Sequence, residues 1–361
     1  MNAFDQSGND AQPPLRRPRR PRYSGTHPKS YQQKYKEHNI EAFPDLKDHL
    51  LAKGKTPAST HIPVLTEEVL ACLNPAPGEV AVDCTVGYGG HALEFIERIG
   101  PTGKLIALDV DSAELERTRL RLSEVSTPVS FYRSNFAGIG NVLNKEKLDG
   151  YDFIFADLGV SSMQIDNPGR GLSYKYEGPL DMRMDERLKQ TAADLLNTLS
   201  EDELAKAFWE LADEPACQEI ARQIVIRRTG QAITQTSQLV QVIFDARGIN
   251  QKAWRQQRRT EKVSSLHPAA RAFQALRILV NDELGSLREL LRVAPYCLRP
   301  GGRIGIISFH SGEDRIVKQS FRDGVRNGIY QSAAEDAVVP KTGEIYSNPR
   351  SASAKFRWAV N

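Results

Sequence analysis

Cysteine is scarce: Cys72, Cys84, Cys217 and Cys297 are the only four in 361 residues, and no two share a C-x-x-C spacing. That pattern points away from a zinc ribbon and from a disulfide framework, and it fits a reducing compartment. No metal centre is expected. The sequence has no run of about 18 apolar residues, so a membrane-spanning helix is not expected. No apolar leader follows Met1, so export is not expected and the cytoplasm is the expected location. Neither charge sign dominates, with 48 Lys and Arg against 45 Asp and Glu. Two nucleotide signatures are also missing. There is no Walker lysine, and Gly87, Gly89 and Gly90 do not give the G-x-G-x-x-G spacing of a dinucleotide site.

What is present is a soluble α/β pattern. Hydrophobic residues make up 40% and charged residues 26% of the chain, as in a globular protein of one or two domains. The organising stretch is Val82-Asp83-Cys84-Thr85-Val86-Gly87-Tyr88-Gly89-Gly90-His91. It reads as a buried strand, a glycine-rich turn and a helix running to about Ile99. Glycine at such a turn lets a ligand approach the backbone, and the helix start offers free N–H groups. A second strand, from Lys104, ends at Asp109, about 20 residues past the turn, where a carboxylate can accept both ribose hydroxyls of an adenosine. Asp111 or Ser112 suits the cap of the next helix better than Asp109 does. Val129–Arg133 is a third strand. Tyr151–Val160, apolar on both faces, is a central fourth that carries Asp157. The order is that of an open doubly wound sheet, whose ligands bind at the carboxyl ends of the strands.

The strand–helix rhythm stops between about Asp166 and His267, which reads as an inserted all-helical subdomain. Its charge is divided: residues 176–219 carry 12 acids and 4 bases, whereas residues 220–275 carry 10 bases and 2 acids. The second block includes Arg227, Arg228, Arg247, Lys252, Trp254, Arg255, Arg258 and Arg259. Two readings stay open for it: a nucleic-acid face with an aromatic, or a basic half that pairs with the acidic half. After His267-Pro268 one long helix is expected from Pro268 to Ala294, closed by Pro295. A fifth strand, Arg303–His310, puts His310 level with the other strand ends. Lys355–Val360 is a last strand at the sheet edge. Residues 1–59 form a flexible, basic, Pro/Arg-rich tail, suited either to phosphate backbones or to no specific use.

A glycine turn with acids ending the second and fourth strands suits an S-adenosylmethionine-dependent methyltransferase. Methyl transfer to an amino group needs in-line positioning and an acceptor for the N–H, for which Asp157 is best placed. The residues leave other readings open: a methyltransferase acting on DNA or a small molecule, or an RNA-binding assembly factor without activity.

At this point the chain resembles a known family, the RsmH (MraW) small-subunit ribosomal RNA cytosine-N4 methyltransferases. The resemblance runs from about His61 to the C-terminus. It rests on Asp83–His91, Asp157-Leu158-Gly159-Val160-Ser161-Ser162, Gly169-Arg170-Gly171-Leu172-Ser173, Gly178–Asp185, His267-Pro268-Ala269 and Ser308-Phe309-His310-Ser311. It implies a Rossmann-like class I methyltransferase sheet in two parts, residues 60–165 and 268–361, around a substrate-binding helical insert at 166–267. It implies S-adenosyl-L-methionine at Gly89, Gly90, His91, Asp109, Phe136, Asp157 and Gln164; Asp157 and His310 are the catalytic candidates from their own places at strand ends. The implied partner is small-subunit ribosomal RNA or the assembled 30S subunit, the target a cytosine N4 in the decoding region, and a homodimer is left open. Tyr88 stands where a small residue is usual, which would alter how the methionine end is enclosed. Gly312 stands for a usual leucine, which would loosen the following helix.

Overall fold

The computed structural model describes residues 63–260 and 266–361. The tail, His61-Ile62 and the stretch 261–265 lie outside the described residues. Seven strands form one sheet in the order β3-β2-β1-β4-β5-β7-β6. They are β1 Val80–Asp83, β2 Lys104–Asp109, β3 Val129–Arg133, β4 Tyr151–Asp157, β5 Leu298–Ser308, β6 Ser332–Ala333 and β7 Lys355–Val360. The first five run parallel, and β7 is antiparallel between β5 and the two-residue β6. The last strand is therefore inside the sheet and not at its edge. β5 begins at Leu298, five residues before the expected Arg303, because Leu298 already pairs with Tyr151 ahead of a register shift.

Strand periodicity fills both faces of the sheet. In β4, Tyr151, Ile154 and Ala156 enter one buried cluster, while Phe153 and Phe155 enter the other. The first face is covered by α4 (Ile139–Glu146), α12 (Glu283–Cys297) and α13 (Ser311–Arg326), which supply Val142, Leu290, Val317 and Phe321. The second is covered by α1 (Thr66–Leu73), α2 (Gly90–Ile99) and α3 (Ser112–Arg121), with Val69, Phe95, Ile99 and Leu115.

A separate apolar cluster lies among α6 (Ala192–Thr198), α7 (Glu201–Ala212), α8 (Cys217–Gly230), α9 (Thr236–Ala246) and α11 (Ala270–Asn281). Between α9 and α11 lies α10 (Gln251–Thr260). The single long helix expected from Pro268 is two helices. Asp282, at φ 45° and ψ 48°, breaks it in the left-handed region. The physical reason is a change of partner: α11 buries Ala272, Phe273 and Leu276 in the helical cluster, whereas α12 buries Leu287, Leu290 and Leu291 against the sheet. Thus α11 packs with the helices of the insert, beyond the expected boundary at 267. Pro295 sits within the last turn of α12 instead of closing it.

Candidate active site

Three adjacent parallel strands end in a carboxylate. β1 ends at Asp83, β2 at Asp109 and β4 at Asp157, and Asp83 registers with Ala107 on one side and Phe155 on the other. Asp109 is shared by two loops. The Gly87 N–H donates to its Oδ2 and the Asp111 N–H to its Oδ1, both at 2.9 Å. Each oxygen keeps lone-pair capacity for a further donor. Burial pushes Asp109 up to about 6, against the pull of those two N–H groups. Asp111, as its position suggested, caps α3 by accepting from Ala113 and Glu114.

The glycine turn is drawn in by the same groups. Gly89 has φ 80°, and a Cβ there would lie 3.0 Å from Thr118 Cγ2. No side chain caps α2, so the first-turn N–H groups keep the character of a helix start facing the turn. Tyr88 is held by Arg121 of α3. Its carbonyl accepts from Arg121 at 2.6 Å, and the Arg121 guanidinium sits 4.8 Å from its ring centroid. The bulk of Tyr88 is thus absorbed by the α3 arginine.

His91 is a wall residue. Its Nε2 lies 2.9 Å from the Val64 carbonyl oxygen, which can only accept, so Nε2 carries the proton and Nδ1 the lone pair. Burial lowers it to about 4, against the pull of that carbonyl. Nδ1 faces Asp157 Oδ2 at 3.9 Å. Asp157 itself is raised to about 8, first by burial and then by the charges of Asp83 and Glu313. Its Oδ1 is buried and has no hydrogen-bond partner among the described residues. Its backbone N–H donates to Thr85 Oγ1 at 2.7 Å. Asp83 is 1% exposed and raised to about 7, chiefly by burial. Sequence reasoning passed over Asp83 as a site residue, although it obeys the rule that picked Asp109 and Asp157: an acid at the carboxyl end of a parallel strand.

The other expected residues divide. Phe136 opens a short 3₁₀ turn just past β3, its ring half-buried against the sheet cluster. Gln164, on the short α5 (Ser162–Asp166), is a brace: its Oε1 accepts from the Ser161 N–H at 2.9 Å and its Nε2 donates to Asp111 Oδ2 at 2.9 Å. It ties the loop after β4 to the loop after β2, and Arg170 reaches the same Asp111 oxygen. Arg133 to Asp185, at 3.2 Å, adds a further tie between a strand end and the segment before α6.

His310 caps α13. Its Nδ1 accepts from the Glu313 N–H at 3.4 Å, and Glu313 accepts in return from the Phe309 N–H at 2.9 Å. Glycine at 312 makes room for this: a Cβ there would stand 3.1 Å from Nδ1. The helix runs unbroken from Ser311 to Arg326. Burial would raise Glu313, but His310, the Phe309 N–H and Arg277 hold it low. Glu283, His310 and Glu313 have ligand-type atoms within 4.8 Å of one another, yet Glu283 already has its counter-charge in Arg277, through bonds of 2.8 and 2.9 Å.

The basic block of the helical layer is largely committed. Arg228 donates to the Leu196 and Leu199 carbonyls, Arg247 to the fully buried Glu214, and Arg271 to the Asp213 carbonyl. Arg227 pairs with Asp245. Trp254, expected on a nucleic-acid face, packs edge-on to Phe244 and His267. Arg247–Glu214 joins the basic half to the acidic half, whereas Arg227–Asp245 lies within the basic half and Arg228 and Arg271 are held by backbone carbonyls. Lys252 and Arg255 are exposed on α10.

The site thus gathers Gly89, Gly90, Asp109 and Asp157 on one rim, with His91 and Gln164 as its supports. An arrangement of this kind can hold a nucleoside by its hydroxyls and present a carboxyl to an amine.

Comparison with known proteins agrees with that arrangement. The model of the MraW methylase family matches residues 58–361. Ribosomal RNA small subunit methyltransferase H 2 of Alkaliphilus metalliredigens is 44% identical over 349 residues, covering 96% of this chain and 98% of the relative. Ribosomal RNA small subunit methyltransferase H 1 of Agathobacter rectalis is 40% identical over 346 residues, covering 95% and 97%. The enzyme named methyltransferase H of Heliobacterium mobile is 43% identical over 318 residues, covering 83% and 98%. The first two spans are long enough to take in most of residues 1–59, which the motifs alone leave outside the resemblance. With its family model covering the whole of the described sheet and helical layer, this chain belongs to the MraW methylase family.

Proposed function

We propose that this protein transfers a methyl group from S-adenosylmethionine to the exocyclic N4 of a cytosine in the decoding region of small-subunit (16S) ribosomal RNA, in the cytoplasm. The relatives' names supply the substrate class, and the strand-end carboxylates supply a site of suitable chemistry. The observation that carries the reading is Asp157: a carboxyl at the carboxyl end of β4 with one buried oxygen, Oδ1, lacking a partner among the described residues. A buried acceptor without a donor is costly, so a cationic or N–H-bearing ligand fits there. The bound cofactor would bring a methyl group made electrophilic by its sulfonium.

The chain's own residues do the rest. The Gly87–Gly90 turn and the start of α2 take the methionine portion. Asp109 accepts from the ribose hydroxyls with its remaining lone pairs. Phe136 would lie against the base of the adenosine, and Gln164 keeps the Asp111 loop in place. Asp157 accepts an N–H of the cytosine amino group, which turns the nitrogen lone pair toward the methyl, and it takes up the released proton. The His91 Nδ1 lone pair then faces the protonated carboxyl. The helical layer, braced to the strand ends, receives the RNA strand.

Asp157→Asn tests the assignment. Loss of a positioned proton acceptor costs on the order of 10²–10⁴ in kcat, whereas cofactor affinity should move far less. A variant that turns over within about threefold of the wild type sinks the role given to Asp157.

A further inference from the structure

With Arg228, Arg247 and Arg271 holding the helical layer together, another cationic surface gains weight. A groove of about 500 Å³ runs between α12 and α13, lined by Arg288, Leu291, Arg292, Arg315, Ile316 and Gln319 among others. Arg288 and Arg315 are exposed, and neither has a carboxylate within ion-pair distance among the described residues. Among the described residues Arg292 has only a surface pair with Glu289 of its own helix. The one acid in the lining, Asp323, is already bonded to Arg326 and Gln319. Arg288, Arg292 and Tyr296 recur at four-residue spacing, so they form one line along α12. Tyr296 is 81% exposed, an aromatic face with no packing duty.

The groove has a direction. The first turns of α12 and α13 bring Glu283 and Glu313 beside His310 at the carboxyl end of β5. Glu313 is close enough to Asp157 for its charge to raise that carboxyl. The lining of the groove begins at Arg288 and Arg315, within about two helical turns of those residues, so its near end lies on the side of the rim that carries Asp157.

We propose that this groove carries the sugar–phosphate backbone of the substrate RNA beside the target base, with Arg288, Arg292 and Arg315 on phosphates and Tyr296 stacked on a base. Guanidinium forks match phosphate oxygens, and alternating basic and aromatic groups are how single strands are held without sequence readout. The inference deepens the RNA-methylation reading and rests on it.

The test is equilibrium binding of protein-free small-subunit ribosomal RNA over a salt series, alongside methylation kinetics. The double variant Arg288→Glu/Arg315→Glu should weaken RNA binding by about tenfold or more at low salt. Its log–log salt slope should be flatter by about 1.4, from two lost contacts at about 0.7 each on a single strand. Cofactor affinity should stay unchanged, which also reports an intact fold. Arg288→Lys/Arg315→Lys should keep most of the slope, and Tyr296→Ala should weaken binding without altering it. Unchanged RNA affinity and slope in the charge-reversed protein would overturn the proposal. So would a defect seen only with assembled subunits and not with naked RNA, which would give the groove to a ribosomal protein. Wild-type protein that binds RNA through these arginines yet transfers no methyl group would support the groove and contradict the catalytic reading.

Discussion

Asp109 and Asp157 illustrate what a single residue discloses in sequence and what it does not. Their places were legible because an acid closing an apolar run marks the carboxyl end of a buried strand. Their environments were not. The partners of Asp109 include Gly87, 22 residues away. His91 finds Val64 across 27 residues, so its tautomer depends on packing that no local pattern encodes. Two outcomes follow at this scale. Asp109→Ala should weaken cofactor binding by roughly 10- to 100-fold, the worth of one or two hydrogen bonds to a charged group. Isothermal titration measures it, and an unchanged affinity would remove the ribose role. The second concerns pH. Asp157 rises to about 8 and Asp83 to about 7 in the unliganded fold, so both hold protons that the unfolded chain has released. Their contribution to stability is present below the ordinary carboxylate range and is lost as pH rises through those values. A bound sulfonium favours the ionised form, so cofactor binding at pH 7 should release protons and tighten as pH rises from 6 to 8. Titrations in buffers of different ionisation enthalpy read this directly, and Asp157→Asn should abolish most of the proton release.

Elements were legible where periodicity was strong and one partner sufficed. The strands β1 to β4 and their helices follow from alternating apolar runs and turn residues. The break at Asp282 was hidden because α11 and α12 together keep one continuous helical pattern; what changes there is which core the stripe faces. The motif glycines of the 167–185 segment explain themselves only in three dimensions. A Cβ on Gly171 would stand 1.9 Å from the Pro179 carbonyl oxygen, so the two halves of that loop interlock. Charge composition misled in the helical layer, since an arginine count cannot distinguish a free cation from one already paired. Arg247 is the clearest case: its partner Glu214 is 0% exposed. Arg247→Met should destabilise the protein by about 3–5 kcal/mol, because it strands a buried carboxylate. Chemical denaturation measures this. A loss below about 1 kcal/mol, as for a surface pair, would contradict the buried-pair reading.

For the molecule as a whole, the β3-β2-β1-β4-β5-β7-β6 order brings the glycine turn, Asp109 and Asp157 onto one rim although they span about 70 residues of sequence. The helical layer is braced to that rim through Arg133–Asp185 and the Arg170 and Gln164 contacts with Asp111. Among the described residues no helix is long and apolar enough to cross a membrane. The doubly wound sheet could be read from the sequence. The position of β7 inside the sheet could not, because pairing partners so far apart leave no local trace. The most direct measurement is nucleoside mass spectrometry of small-subunit ribosomal RNA after incubation with purified protein and S-adenosylmethionine carrying an isotopically labelled methyl group. The label should appear as N4-methylated cytidine with the wild type and be lost with Asp157→Asn. Label in another nucleoside, or equal N4 labelling by both proteins, would contradict the assignment of the strand-end rim as the cytosine methylation site.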